Sequence, residues 1–422
     1  MFKRLFTSES VSVGHPDKVS DQISDAILDS HLEQDPNAHV ACETMVTENN
    51  VVVAGEISSK AKVDVEEVIR ETIREIGYDR DEYGFNADTV KITNLLHEQS
   101  PDIAMGVDDA SGEDRGAGDQ GIMFGYACDE TPSFMPLTID LAHRITRKLA
   151  EIRREGKVMK YLRPDAKSQV TVEYDENWKP VAINTILVST QHDVFASDKE
   201  MQKTIFKDIA SIVLPAVKAE SSEEVQKLFE KEFDLITNPT GRFVIGGPTG
   251  DTGLTGRKII VDTYGGWGGH GGGAFSGKDS SKVDRSAAYA ARHIDKNLVA
   301  AGVCKKVLIQ LSYAIGMAEP ISVNVNTYGT AVRGLTDERI AEVVYETFDL
   351  RPAAIERRLG LRAPIYKVTA ENGHFGHESF IIPDVTPKFG ETSDCLAFPW
   401  EKLDYACELH RRFGFDKANC KG

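Results

Sequence analysis

Apolar and polar residues alternate along the chain in a pattern that divides it into three stretches built to one plan. In the first, residues 40–46 and 51–57 are strand-like runs joined by the turn-rich Thr47, Glu48, Asn49 and Asn50. A helix capped by Asp64 follows them and stops at Gly77. The same order, two strands and then a helix, recurs at residues 169–174, 181–189 and 199–217, and again at 307–313, 322–327 and 337–348. Ahead of the first pair, Pro16 suits the first turn of a helix. On it Val19, Ile23, Ala26 and Ile27 share one face, and Asp17, Asp21 and Asp25 share another. The pattern predicts an α+β protein of three similarly built α/β domains.

One stretch breaks the pattern. Residues 265–284 read GGWGGHGGGAFSGKDSSKVD, after a β-branched run at 258–264 that reads as a strand. Ser281 to Asp284 resembles a capping box, and a helix-forming run follows. Strand, glycine loop and helix N-terminus would offer backbone N–H groups to an anion, with Lys278, Lys282 and Arg285 adding charge. This predicts a polyphosphate cradle. A flexible linker would be uniformly small and polar, whereas Trp267, His270 and Phe275 predict an ordered loop. Residues 272–278 match the first seven places of a Walker A loop, but Asp279 stands where Ser or Thr would hold magnesium.

Composition narrows the function. With 422 residues the chain is too long for one core, and a net charge of −17 argues against a nucleic-acid binder. The same acidity makes the cations near residues 257–285 stand out. Six cysteines without CxxC pairing fit a reducing cytosol. Nothing reads as a signal peptide or a membrane span, so a cytoplasmic location is expected. The polar run 97–121 reads as a lid between domains. Residues 238–258 form a second glycine- and threonine-rich segment, in which Phe243 offers an aromatic face and Arg257 and Lys258 add charge. Glu43 and Glu56 sit in mostly apolar strands; they face solvent, or, if inward, need a cation. Residues 410–422 read as an exposed tail.

Several of these segments together resemble the S-adenosylmethionine synthetase (methionine adenosyltransferase) family: FTSESVSVGHPDKVSDQISDAILD, ACETMV, QSPDIAMGV, GAGDQGIMFGYA, LRPDAKSQVTVEY, NPTGRFVIGGPTGDTGLTGRKIIVDTYGG, HGGGAFSGKDSSKVDRSAAYAAR and GHFG. The resemblance runs from Leu5 to about Gly376. It implies pseudo-threefold symmetry, with an N-terminal domain over 1–102, a mobile loop at 103–120, a central domain over 121–244, a C-terminal domain over 245–400 and a tail at 401–422.

The resemblance also implies a reaction. The methionine sulfur attacks the 5′ carbon of ATP, and the displaced triphosphate is hydrolysed to pyrophosphate and phosphate. A thioether has no proton to lose, so the step needs alignment and leaving-group stabilisation and no general base. By resemblance Asp17 and Asp284 hold two Mg2+ and Glu43 a K+. His15, Lys167, Arg257 and Lys278 are catalytic at the triphosphate, which Lys258 also contacts, and Asp165 and Ala274 bind ATP. Arg242, Phe243 and Asp251 meet the nucleoside, and Glu56, Gln99, Lys282 and Asp251 meet methionine. The family further implies a homodimer or homotetramer with active sites between subunits, and no nucleic-acid or membrane partner. A P-loop-like kinase or ATPase, which would leave ADP, and a non-catalytic ATP-binding subunit are the alternatives.

Overall fold

The computed structural model describes residues 3–98, 116–332, 334–383 and 395–415. All three two-strand-and-helix stretches form, each inside a larger unit that begins with a strand and a helix. The first unit is β1 (Arg4–Val11), α1 (Pro16–Leu32), β2 (His39–Thr47), β3 (Asn50–Ser58), α2 (Val65–Ile76) and β4 (Lys91–Glu98). The second is β5 (Gly121–Cys128), α3 (Leu137–Glu155), β6 (Leu162–Tyr174), β7 (Pro180–His192), α4 (Asp198–Asp208) and β8 (Asp234–Thr237). The third is β9 (Gly253–Leu254), α5 (Val283–Ala300), β10 (Lys306–Tyr313), β11 (Ser322–Asn326) and α6 (Asp337–Thr347).

The three sheets run β4-β3-β2-β9, β8-β7-β6-β1 and β11-β10-β5. Each hairpin therefore takes its fourth or third neighbour from another unit. β1 pairs with β6, β5 with β10 and β9 with β2, all antiparallel, so the opening strands are exchanged in a cycle. This is the pseudo-threefold arrangement of an α+β fold. No helix among the described residues is long and apolar enough to cross a membrane.

Local chemistry explains the ends of the elements. The Asp64 carboxylate accepts the Glu67 N–H at 3.2 Å, and Gly77 closes α2 at φ 105°. In β2, Val40, Cys42, Thr44 and Val46 are buried and the alternate positions are not. Glu43 is exposed and Glu56 half-buried, so the solvent-facing reading of the strand glutamates holds and burial demands no cation there.

Three expectations are corrected. Residues 258–264 are not a strand: Ile259–Asp262 form one helical turn, because Asp262 is drawn into the interior by Lys18 at 2.5 Å. Tertiary contact overrides β-propensity there. The capping box at Ser281 does not form; Lys282 is the N-cap of α5 and no side chain caps it. The expected tail at 401–422 is docked as far as residue 415, and 416–422 lie outside the described residues. Buried Trp400 stacks on Tyr289 at 3.6 Å, and Glu401 accepts from Arg292 at 3.0 Å and Lys296 at 2.7 Å. Burial alone would raise the Glu401 pKa, but these two cations outweigh it and bring it to about 2.

Glu401→Gln would leave two buried cations without their counter-charge, and it is expected to destabilise the protein by about 3–5 kcal/mol. Urea unfolding of the full-length variant measures this; a loss no greater than that of a surface substitution would contradict the role.

Candidate active site

Helix α1 carries the site's framework. Asp17, Asp21, Asp25 and Asp29 recur once per turn on one face, and each accepts hydrogen bonds from backbone of the third unit or the segment after it. Asp17 takes the Leu254 N–H at 3.0 Å, Asp21 the Gly256 N–H at 2.8 Å and Asp25 the Gly277 N–H at 2.8 Å. Asp29 takes the N–H groups of Tyr366 and Lys367. Asp25 also forms a two-pronged ion pair with Arg285 of α5, at 2.7 and 2.8 Å. Burial raises the Asp21 pKa to about 7, against the opposing charge of Lys18 at 3.1 Å. The spacing of these carboxylates was visible in the sequence; their backbone partners were not.

At the N-terminus of α1, buried His15 is the N-cap, and its Nδ1 accepts the Asp17 N–H at 3.2 Å. Burial first, and then the charges of Lys258 and Lys167, lower its pKa to about 3. The imidazole is therefore neutral, with its proton on Nε2 and available for donation. Asp17 is held below the usual carboxylate range: burial raises it, but Lys258 Nζ at 2.5 Å and the Leu254 N–H outweigh that. Arg257 Nε lies 3.8 Å from the same carboxylate.

The nucleoside residues predicted from the sequence adjoin this group. Buried Asp165 accepts the Gly247 N–H at 2.8 Å, and burial raises its pKa to about 6 while Lys167 and Lys258 oppose the rise. The charge of Asp251 bears on it as well. The Phe243 N–H donates to His192 Nε2 at 3.1 Å. The Phe243 ring covers Gly246 so closely that a Cβ there would lie 2.7 Å from its edge. Arg242 is exposed beside them.

The glycine stretch builds a second group. As predicted it is ordered: the Trp267 indole N–H donates to Thr138 at 3.0 Å, and Phe275 is buried beside Tyr289 and Phe375. Gly277, at φ 80°, runs so close to β2 that a Cβ would stand 1.9 Å from the Cys42 carbonyl oxygen. At the end of the stretch the N–H groups are already engaged within the protein. Gly277 donates to Asp25, Lys278 to Phe275, Asp279 to Val40 and Ser281 to Asp279. Asp279 is a buried structural carboxylate that pairs with Lys282 and accepts the Val40 N–H at 2.8 Å. This weighs against the Walker A reading, since Asp279 is committed to β2 and Lys282 and the N–H groups of 277–279 are engaged internally. Lysine ammonium groups are what the stretch offers an anion, and Lys278 Nζ lies 2.6 Å from Asp284.

The predicted residues thus fall into two groups. His15, Asp17, Asp165, Lys167, Arg242, Phe243, Asp251, Arg257 and Lys258 form one; Ala274, Lys278, Lys282 and Asp284 form the other. Among the described residues no ion pair or hydrogen bond joins side chains across them, although Ala274 stands directly against Gly256, next to Arg257. Glu43 and Glu56 lie on the uncovered face of β2 and β3, and His97 Nε2 is 3.6 Å from Glu56. Gln99 and most of the 103–120 loop lie outside the described residues. Asp17 and Asp284 are hard oxygen donors. That fits Mg2+, which takes one or two carboxylates together with substrate phosphates. No cluster of three or more His, Cys, Asp or Glu able to hold a metal occurs among the described residues.

Residues 3–101 match the N-terminal domain of S-adenosylmethionine synthetase, 114–243 its central domain and 245–383 its C-terminal domain. Proteins named S-adenosylmethionine synthase from Cytophaga hutchinsonii and Phocaeicola vulgatus are each 57% identical to this chain. One from Bacteroides thetaiotaomicron is 56% identical. In each case 97% of this chain and 99% of the relative are covered.

A neutral His15 has a measurable signature. Nitrogen NMR of the substrate-free protein is expected to show Nδ1 unprotonated and Nε2 protonated at every pH from 7 down to 5. The depressed folded pKa contributes stability that is present above about pH 6.5 and lost as pH falls toward 3. Relative to His15→Asn, the unsubstituted protein should therefore lose stability between pH 7 and 4. An imidazole that titrates near its ordinary value would overturn the assignment.

Proposed function

The chain belongs to the S-adenosylmethionine synthetase family and makes S-adenosylmethionine from ATP and L-methionine, and we propose how its residues do so. The observation that carries the proposal is the neutral, buried His15 set beside Lys258 and Lys167, with the Asp17 carboxylate 3.9 Å from its Nδ1. Sulfur attack at the 5′ carbon creates negative charge on the departing triphosphate oxygen. His15 Nε2–H donates to that oxygen, and Lys167, Arg257 and Lys258 neutralise the phosphates. A charged imidazolium would risk giving its proton away; a neutral donor stabilises without titrating.

Phe243 offers its ring to the base, Asp165 and the Gly246–Gly247 backbone shape the wall beside it, and Asp251 and Arg242 line the approach. In the second group Lys278 meets phosphate and Lys282 the methionine carboxylate, with Glu56 and Gln99 at the amine. Asp17 and Asp284 would each hold Mg2+, which supplies further neutralisation of phosphate charge when bound. In the substrate-free protein, the Lys258–Asp17 and Lys278–Asp284 pairs hold these four charges in reserve. Ligand binding replaces each pair with a lysine–phosphate and a carboxylate–metal contact.

That no described side-chain bond links the two groups is the ground for an active site shared between two copies of the chain. The face of β4-β3-β2-β9 that bears Glu43 and Glu56 also exposes Leu95 and Leu254, beside half-buried Met45, Val52 and Ala54. A second copy covering that face would supply its own His15 group to this copy's Lys278 group. Glu43 would take K+ there with oxygen ligands from the neighbour. Self-association is then at least dimeric, and a cytoplasmic location fits the substrates.

Incubation with ATP, methionine, Mg2+ and K+ should yield S-adenosylmethionine with equal pyrophosphate and phosphate and no ADP, by mass spectrometry and phosphate assay. Asp17→Asn should lower turnover by roughly two to three orders of magnitude without unfolding the protein. ADP as product would overturn the mechanism.

Subunit mixing tests the shared site. Asp17→Asn and Asp284→Asn are each expected to be inactive. Exchanged together they should recover roughly a quarter of normal activity, because half the dimers then hold one intact site. No recovery, with mixed dimers verified by mass, would place both groups in one site within one chain.

A further inference from the structure

Among the described residues the third unit lacks a strand that the other two possess. β4 lies parallel beside β3, and β8 parallel beside β7, each following the helix after its hairpin. In the third unit β11 ends its sheet. Among the described residues no strand pairs with its outer edge, so backbone N–H and C=O groups of Ser322–Asn326 face outward.

A groove of about 640 Å³ runs along that edge between β11 and α6. Val323, Ala341 and Tyr345 give it an apolar wall, while Glu338, Glu342 and Glu346 line the helix side; no lysine or arginine lines it. Arg339 and Arg412 reach Glu342 and Glu346 from outside the groove, in exposed pairs that a guest cation would displace at little cost. The missing strand defines the guest's shape, and the acidic wall defines its charge.

We propose that β11 and α6 form a docking groove for an extended basic segment of a partner protein, which adds to the sheet parallel to β11. It would take the place that β4 and β8 occupy in their own units. Main-chain hydrogen bonds to β11 supply affinity. Guest side chains on the face toward α6 lay their stems on Ala341 and Tyr345 and carry their ammonium groups to the α6 carboxylates, and the alternate ones point away from the helix. β4 makes eight register pairs with β3 and β8 four with β7, so a guest of similar length suffices for the five residues of β11.

The test uses the full-length protein and a peptide of about seven residues alternating lysine and valine. Binding is followed by fluorescence anisotropy and by amide hydrogen exchange across residues 322–326. The expected result is binding that slows exchange at 322–326 and weakens by about tenfold in the double variant Glu338→Lys, Glu342→Lys. That variant should keep normal adenosyl transfer, since neither residue belongs to the catalytic groups. A peptide alternating glutamate and valine should not bind. Absence of binding, equal binding to the variant, or protection confined to other residues would overturn the proposal. So would exchange at 322–326 that is already slow in the free protein: if independent of concentration, the chain covers its own edge, and if concentration-dependent, a second copy does.

Discussion

The structure depends on a line of carboxylates along α1 that grips the backbone of the third unit. Asp17, Asp21 and Asp25 accept the N–H groups of Leu254, Gly256 and Gly277. A buried carboxylate is costly unless its oxygens are satisfied, and hydrogen bonds to a charged group are worth roughly 1.5–3 kcal/mol each. The loops that carry Arg257, Lys258 and Lys278 therefore take their shape only when α1 is in place, and α1 tolerates its buried acids only when those loops close on it. Formation of the site and assembly of the units are one event.

That arrangement also sets the electrostatics. The protein is strongly acidic overall, yet its cations gather where the α1 N-terminus meets the glycine-rich loops. Lys258 and Lys278 are each held by a carboxylate at ion-pair distance. His15 is the exception, kept neutral by burial and by the charges of Lys258 and Lys167. A donor that carries no charge suits chemistry whose nucleophile releases no proton.

Cyclic exchange of β1, β5 and β9 makes the three units inseparable. The divisions at which family-domain matches begin and end cut the chain between sheets that share strands: β1, matched with the first domain, lies in the sheet of the second. Donating an opening strand covers an edge that would otherwise attract foreign strands. The exchange protects one edge of each sheet. At the other edge the first two units add β4 and β8, and the third leaves β11.

By itself the sequence determined the three repeated hairpin-and-helix stretches, the caps at Asp64 and Gly77, the order of the glycine loop and the residue types of the site. These follow from periodicity and from local chemistry, which act over a few residues. It also misled where local preference met distant contact. The β-branched run at 258–264 became a helical turn because Lys18, far away in sequence, holds Asp262, and Asp279 of the apparent P-loop became an internal brace for β2. Only the tertiary structure decided which N–H groups the loop could spare, that Glu401 is an interior counter-ion, and that the site residues form two groups. Those outcomes depend on burial and on partners brought together by strand exchange, and no local pattern of side chains encodes which distant backbone will arrive beside them.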